Sequence, residues 1–262
     1  MTRPTDDDLY RRGAATLVAS WQEYAHSSPG AAVVRTTGVS AAVFPHEPER
    51  SVYNNAVLDR DLGPVERTAA VDALDATYRS HGIDHYAAWV HESDTAMRAE
   101  LDRRGYIVDE STRAMGMPLD DIAVRLPDAE LGPIGWPDYL AHLTTAGAPA
   151  GLLSGADPSA FHVLGARHAG QNATTALAFD HDGDCGIFNM STLEGARRQG
   201  LGRALLARLV HDAQARGCST ATLQSTPMAE RLYARAGFRD LGRFLEHSPK
   251  HGPTRPDDRD GQ

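Results

Sequence analysis

The stretch Ala196 to Leu205, "ARRQGLGRAL", sets three arginines around two glycines where a long apolar-periodic segment begins. The period predicts a helix over Leu201–Arg216, with Gly217 just past its end. The first amides of a helix lack intrahelical partners and stand at the positive end of its dipole. Glycines there let a ligand approach the backbone closely, and Arg197, Arg198 and Arg203 add positive charge. The stretch therefore reads as an anion site, with a phosphate or pyrophosphate as its natural ligand.

Two common phosphate motifs are excluded by single residues. A P-loop needs Gly-Lys-Ser or Gly-Lys-Thr, whereas Gly202 is followed by Arg203 and Ala204. A dinucleotide fingerprint needs a third glycine where Leu205 stands. The net charge of −9 argues against general nucleic-acid binding and mildly favours a cationic substrate. Twelve histidines show no metal-type spacing, so no metal is expected. Cys185 and Cys218 form no CxxC pair and read as reduced thiols. The acidic start, Met1 to Asp8, has no apolar core of a signal peptide, and no apolar run is long enough to span a bilayer. Cytoplasmic residence without membrane association is the expectation.

Outward from the opening stretch, strands alternate with helices. The first cycle predicts a helix over Ala14–His26, strands over Ala31–Phe44 and Val52–Leu58, and a helix over Val65–Ser80 that starts after Pro64. A strand at His85–Val90, a helix at Thr95–Arg104 and a strand at Tyr106–Met117 complete it. The second predicts a helix at Trp136–Leu143 and strands at Phe161–Arg167, Thr174–Phe179 and Gly186–Thr192. After Leu201–Arg216 come a strand at Thr220–Gln224, a helix at Met228–Arg235 and a strand near Phe238–Glu246. The two cycles end alike: "ELDRRGY" at Glu100–Tyr106 echoes "RLYARAGF" at Arg231–Phe238, placing Leu101 opposite Tyr233, 132 residues on. A tandem duplication follows, with its join near Met117–Ile122. The expected divisions are 1–120, 121–248 and a disordered tail over 249–262 that carries prolines and charge but no apolar pattern.

Arg197–Gly202 together with "LYARAGF" at Leu232–Phe238 resembles the GNAT N-acetyltransferase family, firmly over Phe161–Glu246. The resemblance implies an α/β fold of two tandem GNAT-like domains, each a mixed, mostly antiparallel sheet flanked by helices. It implies acetyl-CoA as cofactor, its pyrophosphate cradled by Arg197, Arg198, Gln199, Gly200, Leu201, Gly202, Arg203 and Ala204. Met190, Ser191 and Thr192 would face the pantetheine arm, and amides around Thr192 would stabilise an oxyanion by roughly 3 kcal/mol per donor. Tyr233 resembles the general acid that returns a proton to the leaving thiolate. Thr226 stands where the family often has asparagine, and its hydroxyl is expected to cap the helix carrying Tyr233. The first half lacks the paired glycines at Leu62–Ala70 and has Leu101 for Tyr233, so it is expected to complete the sheet or wall the acceptor pocket.

Acetyl transfer needs a neutral amine, and an alkylammonium is mostly charged at neutral pH. Glu194, just past the cofactor strand, is the leading candidate base, ahead of Asp182, Asp184, His162 and His181. The expected reaction is acetyl transfer to a primary amine of a small molecule. The alternatives are transfer to a protein amino group, or a non-catalytic acyl-CoA-binding regulatory module. Homodimers are common in such folds, and no segment here marks an interface.

Overall fold

The computed structural model describes residues 3–26, 28–46, 53–126, 130–148, 150–168 and 170–250. Its first helix, α1 (Asp6–His26), starts eight residues before the expected Ala14. Thr5 and Asp8 cap each other reciprocally: the Asp8 amide donates to Thr5 Oγ1 at 3.1 Å, and the Thr5 amide donates to Asp8 Oδ2 at 3.0 Å. Three aspartates in the first turn suit the dipole. The expected strand over Ala31–Phe44 is a hairpin, β1 (Ala32–Thr36) and β2 (Val39–Val43), turned at Gly38 with φ 83°. There follow β3 (Asn55–Leu58), α2 (Pro64–Ser80), β4 (Ala87–His91), α3 (Thr95–Arg103) and β5 (Tyr106–Pro118).

In the second half come β6 (Leu131–Pro133), α4 (Trp136–Thr145), α5 (Gly151–Ser154), β7 (His162–His168), β8 (Gln171–His181) and β9 (Asp184–Thr192). The chain ends with α6 (Leu201–Arg216), β10 (Thr220–Ser225), α7 (Glu230–Ala236) and β11 (Arg239–Pro249). The short β6 and α5 have too few residues to show a period and were not expected. The expected tail begins two residues too early, because Pro249 pairs with Tyr106 at the end of β11. Its remainder, 251–262, lies outside the described residues, as does Val52 of an expected strand.

Where two sheets were expected, the described residues form one, of eleven strands in the order β1-β2-β3-β4-β11-β5-β10-β9-β8-β7-β6. Each half lends its last strand to the other: β11 lies between β4 and β5, and β5 between β11 and β10. From β1 or from β7 inward, the pairings repeat in order: antiparallel, antiparallel, parallel, antiparallel. The exchange hides the duplicated order, because neighbours at the centre come from opposite halves.

One face carries a continuous apolar core under α1, α4 and α5, running from Ala42 and Val57 to Leu177 and Phe179. The other face carries two cores, one under α2 and α3 and one under α6 and α7. α1 therefore bridges both halves, with Leu9 and Gly13 against Gly116 of β5 and Thr222 of β10 at the centre of the sheet.

Candidate active site

The site forms where two parallel strands part. β9 and β10 pair only over Asp184–Gly186 and Thr220–Thr222, so past these residues they are no longer joined by hydrogen bonds. A bulge bends β9 there: Leu177 pairs with Phe188 and Thr175 with Ser191, leaving one residue over on β9. Asn189, inside that bulge, has φ 49°. Met190 and Thr192 then face α6, and Ser191 faces α4, where its hydroxyl donates to His142 Nε2 at 2.8 Å. His142 Nδ1 donates to the Asn172 carbonyl at 3.0 Å, which fixes the imidazole against the strand. Ser191 thus offers the opening its backbone alone, its side chain being engaged elsewhere.

After β9, Glu194–Ala196 makes one 3₁₀ turn and the chain enters α6 through Gly200, with φ 83°. The Arg197 guanidinium donates from Nε to the Thr192 carbonyl at 3.1 Å, and Gln199 Nε2 donates to the Gly195 carbonyl at 3.3 Å. These bonds tie the loop back on itself. The first amide of this helix start with a backbone acceptor is that of Ala204, which donates to the Gly200 carbonyl at 2.9 Å. No side chain caps the helix, so the amides of Leu201, Gly202 and Arg203 stay open. Arg197, Arg198 and Arg203 are exposed and, among the described residues, pair with no carboxylate. A Cβ built on Gly202 would stand 3.7 Å from Thr192 Oγ1, 3.8 Å from Leu232 and 3.9 Å from the Met190 methyl. One built on Gly200 would meet nothing within 4 Å. The loop, the end of β9 and α7 therefore converge around an open amide cluster suited to a pyrophosphate.

Beyond Met190 the gap opens into a cavity of about 410 Å³ on the α1 face. Its walls combine both halves: Ile187–Met190, Gln224, Thr226 and Tyr233 from the second, and Trp21, Tyr24, Asn55, Trp89, Glu110 and Thr112 from the first. Tyr233 on α7 is buried, edge-on to Phe238 at 5.9 Å, and burial pushes its hydroxyl up to about 12. It therefore holds its proton throughout the neutral range. Thr226 lines the cavity but does not cap α7: that helix starts at Glu230, with Ala229 at its cap position and no side-chain cap bond. Pro227 and Met228 belong to the preceding turn.

The candidate bases separate. Glu194 is exposed on the 3₁₀ turn and does not line the cavity. Asp182 sits in an exposed turn beside His181, at 3.5 Å, and His162 lies 3.5 Å from Asp180. Asp184 is buried under α1, accepting from Thr16, Thr220 and Thr222 at 2.6–2.8 Å, and burial raises its pKa. The carboxylates that do reach the cavity, Glu110 and Glu246, were not singled out in the sequence. They sit in strands whose alternation is ordinary, and only the strand exchange brings them to this wall.

Residues 159–240 match the family model described as the acetyltransferase (GNAT) domain. That segment is therefore similar to a GNAT domain. Among solved structures, the chain is similar to a GCN5-related N-acetyltransferase from Kribbella flavida, at 19% identity over 93% of this chain and 96% of that one, with TM-score 0.71. A GCN5-related N-acetyltransferase from Sphaerobacter thermophilus matches at 17% identity over 94% and 93%, with TM-score 0.60. A functionally unknown conserved protein from Staphylococcus epidermidis matches at 14% identity over 82% and 91%, with TM-score 0.59. These likenesses span both halves and show that the shared fold extends beyond residues 159–240. No curated protein matches the chain. Among the described residues no helix is long and apolar enough to cross a membrane.

Proposed function

We propose that the protein is an acetyl-CoA-dependent N-acetyltransferase acting directly on a primary amine of a small molecule. The observation that carries this reading is the convergence on Met190. Its methyl borders Gly202 of the open amide cluster, and the same residue lines the cavity that contains Tyr233. An anion held at the loop is thereby placed at one end of a passage whose other end is the cavity.

Bound acetyl-CoA supplies the activated acyl thioester. Around it, the amides of Gly200 to Ala204 hold the pyrophosphate, with charge from Arg197, Arg198 and Arg203. The backbone of Met190, Ser191 and Thr192 borders the pantetheine arm, and Tyr233 keeps a proton for the leaving sulfur. Glu194 lies outside the cavity, so a proton passed to it travels through water. A cavity of about 410 Å³ is of the size that small-molecule sites have.

The mirrored pairings support a duplicated unit, 1–120 and 121–248, whose first copy has lost the cofactor loop. At the start of α2, Pro64 has no amide hydrogen, and the Gly63 amide donates to Glu66 Oε2 at 3.1 Å. An acidic cap thus stands where α6 presents open amides, and it repels the anion that α6 attracts. The first copy instead walls the acceptor cavity.

Calorimetric titration with acetyl-CoA tests the reading, beside a Gly202→Glu variant. The neighbours of Gly202 leave room for a Cβ, so the variant keeps its fold while its carboxylate blocks and repels the pyrophosphate. Micromolar binding lost in the variant, together with acetyl transfer to an amine panel, supports the proposal. No heat and no thermal shift with the unmodified protein overturns it.

A further inference from the structure

A second cavity, of about 600 Å³, lies against the amino-terminal half of α1, and its described lining residues are all different from those of the first. It opens at the end of β3, which pairs with β4 only over Asn55–Val57 and then parts from it, as β9 does from β10. One wall is a hydrogen-bonded row across the sheet: Arg35 of β1 pairs with Ser40 of β2, and Ser40 with Val57 of β3. The facing wall is two adjacent ridges of α1, with Asp7, Arg11 and Ala15 on one and Tyr10, Ala14 and Val18 on the other. Ala14 and Ala15 carry nothing beyond Cβ, so helix and strands leave a space between them there.

The charged groups around this space divide into engaged and open ones. Asp7 is taken by two arginines: Arg11, one turn on, and Arg60, whose Nη1 lies 3.4 Å from Asp7 Oδ1 while its guanidinium covers the Tyr10 ring at 5.0 Å. His181 lies 3.5 Å from Asp182. The carboxylates of Asp59 and Asp61 make no ion pair and no hydrogen bond among the described residues. Arg35 meets no carboxylate among them either, its Nη1 donating to Gln22 Oε1 at 3.2 Å. Open charges of both signs thus stand around an apolar patch of Tyr10, Val18 and Val57. A ligand of one sign would meet a like charge at one end or the other. We propose that this cavity is a second ligand site, for a small zwitterion with its ammonium group toward Asp59 and Asp61, its carboxylate toward Arg35 and its apolar body against α1. An amino acid with an apolar body has this form. The proposal does not depend on the transfer reaction proposed above.

Calorimetric titration tests it with two zwitterions of different length, L-leucine and 6-aminohexanoate. Each is compared with its singly charged counterparts: 3-methylbutylamine and 4-methylpentanoate for the first, hexylamine and hexanoate for the second. At least one zwitterion is expected to bind about tenfold more tightly than both of its counterparts, the preference shrinking in high salt. Ala15→Trp fills the space and should abolish binding, and Arg35→Gln should remove the preference over the amine. Both positions are exposed, so the variants leave the core intact, and their melting temperatures check this. Gly202→Glu should bind the zwitterion as the unmodified protein does. No heat with either zwitterion, equal binding of the singly charged compounds, binding undiminished in Ala15→Trp, or binding lost in Gly202→Glu overturns the proposal. Zwitterion binding here without acetyl transfer to any amine overturns the proposed function alone, and transfer without such binding overturns this proposal alone.

Discussion

Thr16 of α1 donates from its hydroxyl to Asp184 Oδ2 of β9 at 2.8 Å, a buried bond that joins the first half of the chain to the second. Thr220 and Thr222 donate to the same carboxylate at 2.7 and 2.6 Å. Replacing Asp184 by alanine leaves three buried hydroxyls without their acceptor and is expected to cost about 3 kcal/mol in urea unfolding. An asparagine, which keeps one acceptor oxygen, costs less. Burial raises the Asp184 pKa above its usual 3.8, so ionisation is less favourable in the folded chain than in the unfolded one. Its contribution is therefore greatest below pH 3.8 and declines as the pH rises through the folded value. The stability of the unmodified protein relative to Asp184→Asn should fall across that acidic window and then level off.

Tyr233→Phe removes the proposed proton donor but keeps the ring that packs on Phe238. The expected result is a fall in kcat of about 10²- to 10³-fold with acetyl-CoA affinity little changed. Because burial pushes the Tyr233 hydroxyl up to about 12, its acidic form persists well past the ordinary tyrosine range. A pH profile of kcat should show no loss centred near pH 10. A loss there that disappears in the phenylalanine variant would contradict the buried state of this hydroxyl.

Gly242→Ala tests the close approach of β11 to β4. Gly242 has φ 92°, and a Cβ there would lie 2.3 Å from His91 Nε2, which donates to the Leu241 carbonyl at 2.8 Å. Neither the left-handed backbone nor the histidine can yield without breaking that bond. The expected loss is about 2–4 kcal/mol, read as a lowered melting temperature.

Local elements were legible where period and punctuation coincided. Leu201–Arg216 was bounded by glycines on both sides and lies where expected, and Pro64 and Gly82 bracketed α2 within a residue. The start of α1 was missed because Gly13 interrupts its pattern, yet Gly13 is needed there: its Cβ position is 3.0 Å from Thr222. The open start of α6 could be read because it needs glycine in consecutive sequence. The cavity wall could not, since Glu110, Glu246 and Trp89 meet only through cross-strand register, and register between distant strands leaves no local mark. Thr226 misled for a similar reason: Pro227 is compatible with helix entry, but the chain takes one more turn before Glu230.

The exchange of β5 and β11 also sets an order of assembly. During synthesis β11 leaves the ribosome after all ten other strands, yet its place is at the middle of the sheet, with β4 on one side and β5 on the other. Until residues 239–249 emerge, β4 presents a short unpaired edge and β5 a long one, over Tyr106–Gly116, of the kind that recruits other chains. Co-translational folding can therefore complete the outer strands of both halves but not join them. Closure waits for a single insertion that also brings Glu246 to the cavity wall, so a nascent chain has no finished cavity before its sheet is whole.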